Sequence, residues 1–198
     1  GDFAFNKVSS DPSTSAGTGK LFYKEVSAGF DDTSSVFLLH GDGTDGSTTV
    51  TDSSSTPHTV TANGSTQIDT TQKKFGTGSI LFAGTGDTLS VPDSDDFNLG
   101  SGDFTIDYWI FYTSGGNQDA GHIRQNGGAG NDGWSIQSTV GGNISFRTNG
   151  NTDFLASFTP AATTWAHMAF VRSGNTIAVY KDGTQLNSAA FSTTIVDS

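Results

Sequence analysis

Short apolar runs separated by Gly, Asp and Asn turns are the feature that most limits what this chain can fold into. From residue 36 onward the runs recur at roughly 8–12-residue intervals, a rhythm typical of antiparallel β-sandwiches. No segment longer than one turn shows the 3.6-residue period of a helix. Gly, Ser and Thr, which are weak helix formers, make up about 40% of the 198 residues. The sequence therefore predicts an all-β fold.

Two turns and one long strand give this prediction its detail. The segment 104–112 places alternate apolar residues on one face. The pair Asp182-Gly183 indicates a two-residue hairpin, because both residues tolerate the positive φ angles of a type I′ turn. Residues 84–87 indicate a second hairpin between their flanking strands. The predicted strands are 36–40, 59–62, 79–83, 88–91, 104–112, 133–137, 143–148, 164–172 and 176–180.

Composition and charge exclude several classes of protein. The chain has no Cys, so it forms no disulfide, no iron–sulfur site and no thiol nucleophile. No apolar run approaches the roughly 18 residues of a membrane span, and residues 1–7 do not resemble a signal peptide. Lys and Arg number 9 against 20 Asp and Glu, which argues against nucleic-acid binding because phosphate contacts need basic patches. We expect no nucleic-acid partner and no membrane insertion.

The first 35 residues differ from the rest of the chain in composition and in the spacing of their apolar residues. Residues 11–19 are rich in Pro, Gly, Ser and Thr and lack an apolar period, which is typical of an extended segment. Residues 20–26 have the composition of one short strand without a local partner, which suits strand addition to a neighbouring chain. We therefore predict an extended N-terminal arm over 1–35 and one β-domain over 36–198.

Four motifs of the β-domain resemble a known family. They are LLHGDGTDGSTT at 38–49 with DSS at 52–54, KFGTGSILF at 74–82, GDFTIDYWI at 102–110, and TWAHMAFVR at 164–172 with YKDG at 180–183. In order and spacing they are similar to the laminin-G-like, concanavalin A-like jelly roll. The opening motif is similar to domains of tailed-phage structural proteins of the fibre or decoration type. The resemblance implies an antiparallel jelly-roll β-sandwich.

The C-terminal end departs from that family pattern. The family normally closes with one or two further strands after the Asp-Gly hairpin, whereas this chain stops at Ser198. Three explanations stay open: the sandwich is completed differently, a partner chain supplies the strand, or the domain is truncated at its C-terminus. Each has to account for edge strands, which proteins usually cover.

The distribution of carboxylates argues against an enzyme. The superfamily includes glycoside hydrolases with a Glu-based carboxylate pair on one strand, and retaining hydrolysis needs the two groups about 5 Å apart. Of the 20 acidic residues, 19 are Asp, and the single Glu25 lies in the arm. Asp107 is a lone strand carboxylate, and no Gly-x-Ser-x-Gly elbow supports a serine hydrolase. We predict no catalytic residues and no enzymatic activity.

The four histidines are expected to be structural or solvated. His40 and His167 lie in apolar strands, where a hydrogen-bonded core imidazole is the common case. His58 and His122 lie in predicted loops, where solvation is the simplest interpretation.

One loop carries candidate calcium ligands. Asp42, Asp45 and Asp52 lie in a Gly/Ser/Thr-rich segment, and Ca²⁺ takes about six to eight oxygen ligands from carboxylates, carbonyls and water. The resemblance supports this hypothesis, because laminin-G-like domains often hold calcium at a sandwich edge. The alternative is that each Asp caps a turn by bonding nearby backbone. Calcium is the only cofactor that we expect.

A long polar loop, 114–133, is the candidate glycan site. Long loops on rigid sandwiches are frequent binding sites, and glycan binding uses an aromatic platform beside amide and carboxylate groups. For Trp134, as for Trp109 and Trp165, core packing is the alternative interpretation. The candidate ligand-binding residues are Asn117, Asp119, His122, Arg124, Asn126, Asn131, Trp134 and Phe154.

These observations together favour a non-enzymatic surface or appendage protein of a phage virion. In this hypothesis the jelly roll faces outward and binds host-surface glycans, while the arm anchors a homo-oligomer to other virion proteins, as in a tail or head fibre. Multivalent display turns weak sugar contacts into avidity. Two alternatives stay open: a structural capsid decoration or cement protein without a ligand, and a glycan-binding module of a secreted bacterial adhesin or enzyme.

Overall fold

The regular structure of the described residues is almost entirely β. The computed structural model describes residues 3–6, 35–84, 86–114, 120–126, 132–148 and 151–196. Within these ranges there is no α-helix, and no helix has the length and apolarity needed to cross a membrane. The ladders with a defined register are antiparallel. The prediction of an all-β antiparallel fold is confirmed.

Fourteen strands and one short 3-10 helix are found in these ranges. The strands are β1 (Phe3–Asn6), β2 (Ser35–Leu39), β3 (Thr61–Asn63), β4 (Gln67–Asp69), β5 (Ser79–Leu81), β6 (Thr88–Ser90), β7 (Phe104–Phe111), β8 (Ala120–Asn126), β9 (Asp132–Thr139), β10 (Asn143–Thr148), β11 (Asn151–Ser157), β12 (Trp165–Ser173), β13 (Thr176–Lys181) and β14 (Thr184–Ala190). The 3-10 helix Asp95–Phe97 lies between β6 and β7.

The chain divides into two compact units. The first comprises residues 1–93 with 106–109, and the second comprises residues 94–105 with 110–198. Strand β7 contributes its middle to the first unit and its ends to the second. Most of the predicted arm, including its strand 20–26, lies outside the described residues.

The first unit consists of short antiparallel ladders. β1 lies between β2 and β7, while β3 pairs with β6 and β4 pairs with β5. The predicted hairpin across 84–87 is therefore wrong, because β5 and β6 pair with other strands. Asp87 shapes this turn instead: its carboxylate accepts the backbone N–H groups of Ala83, Gly84 and Ser65. Ile68 of β4 is fully buried.

The second unit is a β-sandwich with an aromatic core. One of its sheets has the order β14-β13-β12-β7, and the other has the order β11-β10-β9-β8. Phe146 of β10 joins the two sheets, since its ring centroid lies 5.7 Å from that of Phe104 and 6.3 Å from that of Phe170. All three rings are buried, and stacked or tilted aromatic pairs of this kind add to the free energy gained by burial.

The Asp-Gly hairpin is found where the sequence predicts it. Asp182 and Gly183 have φ angles of 50° and 77°, and they connect β13 to β14 in the register Lys181↔Thr184. The sequence analysis did not predict β14, because its residues TQLNSAA contain one large apolar side chain. The Asp182-Gly183 turn indicates that a strand follows it, whereas the composition of residues 184–190 does not.

Residues 191–196 pack on the second unit without forming a ladder strand. Phe191 and Ile195 are buried, and Ile195 forms an isolated antiparallel bridge with Gly100. The buried Arg172 guanidinium donates to the carbonyl oxygens of Gly100 and Thr193. The same group lies 4.9 Å from the Phe191 ring centroid. This segment therefore covers part of the core of the second unit as an extended tail.

Candidate functional site

The structure places a strand inside the predicted glycan loop 114–133. β8 occupies its middle and pairs with β9 in an irregular register. The polar sequence AGHIRQN hides this strand, because only Ile123 has the apolar character expected of it. Arg124 is exposed on β8, opposite Ser135. Asn117, Asp119 and Asn131, and the side chain of Asn126, lie outside what the structure describes.

Trp134 and Phe154 do not offer aromatic platforms, which corrects the sequence-based expectation. Trp134 is 2% exposed and Phe154 is 3% exposed. The Trp134 ring stacks on Phe146 at 6.3 Å, and its indole N–H donates to the Phe97 carbonyl oxygen. Phe154 lies opposite Phe146 in the β10–β11 ladder. Both side chains belong to the core, so the alternative interpretation holds for Trp134.

His122 belongs to a polar cluster and is not a solvated loop residue. The register shifts between Gly121 and Ile123, and the intervening His122 Nε2 lies 2.7 Å from Tyr112 Oη and 3.3 Å from Ser138 Oγ. Burial lowers the pKa of His122 to about 4 and raises the pKa of Tyr112. Both groups are neutral near pH 7, and the cluster joins β8 to β9 and to the end of β7.

The predicted calcium ligands Asp42 and Asp45 are held by different partners. Asp42 accepts the backbone N–H and the hydroxyl of Thr77, and the backbone hydrogen bond lowers the pKa of Asp42. Asp45 accepts the equivalent two groups of Thr70. Each carboxylate therefore ties the loop that follows β2 to a different part of the first unit.

Asp52, the third predicted ligand, is buried beneath its own turn. Its carboxylate accepts the backbone N–H groups of Leu38, Ser54 and His58. Its Oδ2 also lies 3.1 Å from His58 Nδ1. Burial alone would raise the pKa of Asp52, but these hydrogen bonds outweigh it and hold the pKa below its usual value.

The three carboxylates do not fit a calcium site. Within the described residues, no three His, Asp or Glu side chains come together as a metal-binding group. Calcium needs several oxygen ligands that converge, whereas the carboxylates of Asp42, Asp45 and Asp52 turn to separate backbone donors. Turn capping, the alternative interpretation, describes the bonds from Asp52 to the Ser54 and His58 backbone, while Asp42 and Asp45 make long-range bonds to Thr77 and Thr70.

An outward-facing aromatic pair lies on the β14-β13-β12-β7 sheet of the second unit. Phe111 ends β7 and Trp165 begins β12; both are half-buried, and their ring centroids lie 5.3 Å apart at 50°. Met168 and Phe170 of β12 point into the core. Because side chains alternate along a strand, Trp165 lies on the opposite face of the sheet.

Polar side chains extend this face beyond the aromatic pair. His167 is half-buried and follows Trp165 by two residues. Tyr180 of β13 lies opposite Ala169, on the same face of the sheet, and its hydroxyl donates to Gln185 Oε1 at 3.1 Å. We call Phe111, Trp165, His167, Tyr180 and Gln185 the aromatic face. It combines ring surfaces with hydroxyl, imidazole and amide groups on rigid strands.

Sequence reasoning did not single out this face, because it favoured core packing for Trp165 and a structural role for His167. The sequence 164–172 nevertheless indicates which face Trp165 occupies. Met168 and Phe170 stand at even-numbered positions of the strand, and Trp165 stands at an odd-numbered position. Even-numbered and odd-numbered residues of a strand lie on opposite faces of the sheet, and Trp165 and His167 are partly exposed on the face opposite Met168 and Phe170.

The half-buried tryptophan of the first unit is covered by its neighbours. Trp109 lies 5.5 Å from the Phe75 ring in an edge-on arrangement, and Lys74 Nζ lies 4.4 Å from the Trp109 ring centroid. The ammonium group occupies one face of this indole by a cation–π contact. Trp109 is therefore less suited to stacking on a ligand than the Phe111–Trp165 pair.

The fold is that of an antiparallel β-sandwich with its sheets packed through alternating aromatic residues. The chain matches the family model Laminin_G_3, the concanavalin A-like lectin/glucanases superfamily, over residues 83–198. Because this match covers more than half of the chain, the protein belongs to that family. The predicted laminin-G-like, concanavalin A-like resemblance is thereby confirmed. Comparison with curated proteins and with solved structures found no match.

Proposed function

We propose that this protein is a non-enzymatic carbohydrate-binding module and that the aromatic face is its binding surface. The observation that carries the proposal is the partly exposed Phe111–Trp165 ring pair. Partly exposed aromatic rings on rigid strands lose little conformational entropy when a ligand binds. The family to which the chain belongs supports the same ligand class.

The chemistry of the aromatic face suits a neutral sugar. The π-faces of Phe111 and Trp165 carry partial negative charge and attract the C–H face of a pyranose ring. His167, Tyr180 and Gln185 bond the hydroxyl groups at its rim. The formal net charge of -11 disfavours strongly anionic glycans. Individual contacts of this kind are weak, so useful affinity depends on several copies binding together.

The absence of catalysis is part of the proposal. The superfamily's hydrolytic pair is Glu-based, and the single Glu25 lies outside the described residues. The carboxylates of Asp52 and Asp87 accept several backbone N–H groups each. We therefore expect no hydrolysis of any glycan that the protein binds.

We also propose a setting for this module: the surface of a phage virion, in a tail or head fibre. The support is the similarity of the opening motif at 38–49 to domains of tailed-phage structural proteins. Display in several copies on a particle supplies the avidity that weak sugar contacts require. The N-terminal arm is the part of the chain that we expect to bind other virion proteins.

A glycan array tests the binding proposal. The full chain is displayed as a tetramer on a neutral carrier and compared with the Trp165→Ala variant. The matched control is Phe82→Ala, since Phe82 is an aromatic residue of the first unit that is 52% exposed. We expect binding to neutral glycans, a loss of about tenfold or more in Trp165→Ala, as for a central aromatic contact, and no loss in Phe82→Ala.

Two further arms of the experiment separate the alternatives. We expect glycan binding to be unchanged when EDTA is added, because the aspartates bond protein groups. Loss of binding in EDTA would show that glycan binding requires a divalent cation such as calcium. A blank array for the tetramer would overturn the carbohydrate proposal and favour a capsid decoration without a ligand. Release of reducing sugar from a bound glycan would contradict the non-enzymatic assignment.

A further inference from the structure

We propose that the first unit contains a second binding site, a small polar pocket in the loop after β2 that takes one sugar or polyol unit. The pocket has a volume of about 210 Å³ and is lined by His40, Gly41, Asp42, Val50, Thr51 and Ser53. The ligand class rests on the proposed function. The pocket itself lies wholly within the first unit and shares no residue with the aromatic face.

The pocket is formed by a loop that is closed at its base. Leu39 and Asp52 form an antiparallel bridge, and the Ser53 backbone N–H donates to the Leu38 carbonyl oxygen at 2.7 Å. Residues 40–51 lie between these two ends. The lining residues on either side of the cavity therefore come from the two arms of one loop, held together where the arms meet.

Hydrogen bonds on the outside of the loop fix its shape. Asp42 and Asp45 bind Thr77 and Thr70, and the Gly46 backbone N–H donates to the Ile68 carbonyl oxygen at 2.9 Å. Each bond links the loop to β4 or to the residues that flank β4 and β5. A loop tied at this many points needs little rearrangement to bind a ligand, which reduces the entropic cost of binding.

The lining favours a neutral ligand with neighbouring hydroxyl groups. Thr77 engages Asp42 Oδ1, and no hydrogen bond within the described residues uses Oδ2. An ionised carboxylate oxygen accepts well from hydroxyl groups. The side chains of Thr51 and Ser53 add hydroxyl groups that both donate and accept, while Val50 supplies an apolar wall.

Size and charge narrow the ligand further. The cavity is smaller than the roughly 300–1,000 Å³ pockets that hold drug-sized molecules, so one ring or a short polyol suits it. Asp42 and the net charge of -11 repel anions. The described residues contain no group of three His, Asp or Glu side chains that could hold a metal ion, so the proposal takes a neutral organic ligand.

An NMR titration of the full ¹⁵N-labelled chain tests this inference. The probes are the methyl glycosides of glucose, galactose and mannose, and xylitol. We expect at least one probe to shift the amide signals of Gly41, Thr51 and Ser53 in a saturable way. The Asp42→Asn variant keeps an Oδ1 acceptor for Thr77 but replaces Oδ2 by an amide donor, and we expect about tenfold weaker binding.

Two further variants show whether weaker binding in Asp42→Asn comes from a lost ligand contact or from a changed loop conformation. Asp45→Asn alters the same loop and the same kind of hydrogen bond, but Asp45 does not line the pocket. We expect it to leave the affinity unchanged. Ser53→Ala removes one exposed hydroxyl and is expected to weaken binding a few-fold without affecting the fold.

The possible outcomes separate this inference from the proposed function. Saturable shifts in the pocket that Asp42→Asn weakens and Asp45→Asn does not weaken support the pocket, whatever happens at the aromatic face. Shifts confined to residues near Phe111 and Trp165 overturn the pocket and leave the proposed function standing. Equal loss in Asp42→Asn and Asp45→Asn shows a loop effect and overturns the pocket. No shift at either place overturns both.

Discussion

The two units of this protein are stabilised by different kinds of interaction. In the second unit, Phe146 contacts four other aromatic rings at centroid distances of 5.7–6.3 Å, those of Phe104, Trp134, Phe170 and Phe191. In the first unit, four carboxylates accept backbone N–H groups and have lowered pKa values: Asp42, Asp52, Asp69 and Asp87.

The comparison shows how one chain poor in large apolar residues stabilises two compact units. Where aromatic residues alternate along strands, burial supplies the stability and long ladders follow. Where the sequence is rich in Gly, Ser and Asp, the strands are only three to five residues long and carboxylates fix the turns between them. The second unit should therefore be sensitive to loss of volume, and the first to loss of negative charge.

The largest effect is expected from Phe146→Ala. This side chain is fully buried, and removing a buried Phe typically costs about 3–5 kcal/mol through lost burial and the cavity left behind. Denaturant unfolding followed by tryptophan fluorescence measures the change. Leu155→Ala is the control, because Leu155 lies on the neighbouring strand β11 and is 46% exposed. A loss for Phe146→Ala no larger than that of the control would show that this cluster is not the core.

A smaller effect is expected from Asp52→Ala in the first unit. The change leaves the backbone N–H groups of Leu38, Ser54 and His58 without their acceptor. An unsatisfied buried group costs about 1–3 kcal/mol, and part of this cost is relieved if water reaches the turn.

Hydrogen exchange tests where the effect of Asp52→Ala lies. Faster exchange at Ser54 and His58, with unchanged protection in β12 and β13, is the expected pattern. The exposed Asp45→Ala serves as the control, since it loses the bonds to Thr70 only. If hydrogen exchange in Asp52→Ala became equally faster in both units, the loss of this carboxylate would not act on the first unit alone. That result would contradict the view that the two units are stabilised by different interactions.

The strands that the sequence could predict are those with their own apolar pattern. β2, β7, β10, β12 and β13 match the predicted segments closely, because each carries apolar residues that are buried in the core. The sequence does not predict β8 and β14, because their residues are mostly polar. These two segments are strands because their backbones pair with β9 and β13. The pairing of β5 and β6 was wrong because partner choice depends on residues far away in the chain.

The site was harder to predict than the fold for the same reason. Residue type alone made Trp134 a candidate platform, while its burial depends on Phe146 and Phe97. The sequence predicts the aspartates of the loop after β2 as one calcium-binding group, whereas the structure gives each of them separate hydrogen-bond partners. Backbone capping and metal binding use the same residue type, so composition alone does not separate them. The backbone partners Thr77 and Thr70 lie at least 25 positions away, beyond any local motif.

Acidification should destabilise the two units in different pH ranges. The pKa values of Asp42, Asp52, Asp69 and Asp87 are lowered in the folded state, chiefly by backbone and side-chain hydrogen bonds that outweigh burial. A lowered pKa contributes stability that is fully present above the unfolded value, about 3.9 for Asp, and is lost as the pH falls through the folded value.

Amide NMR spectra recorded from pH 7 to pH 2.5 check these ranges. Signals of Thr77, Ser65 and Thr71, which donate to these carboxylates, should change only below the unfolded Asp value of about 3.9. Signals of β8 and β9 should change at higher pH, because the buried His122 has a pKa of about 4 and the stability that depends on its neutral ring is lost as the pH falls from the unfolded value, about 6.5, towards 4. Simultaneous loss of both sets of signals would show that acid acts on the whole chain at once.

The smallest expected effect concerns an aromatic contact of the first unit that depends on charge. Lys74 Nζ lies 4.4 Å from the Trp109 ring centroid and 5.8 Å from that of Phe75. Lys74→Met keeps the length and apolar stem of the side chain but removes the charge, and a partly exposed cation–π contact contributes about 0.5–1 kcal/mol. Lys73→Met is the control, because the neighbouring Lys73 ammonium donates to the Thr70 carbonyl oxygen. A measurable loss for Lys74→Met, with a shift of the Trp109 indole signal, would mean that even the aromatic residues of the first unit rely on charge. If Lys74→Met does not differ from the control, Trp109 is stabilised by burial rather than by charge. The difference between the two units then lies in the carboxylates alone.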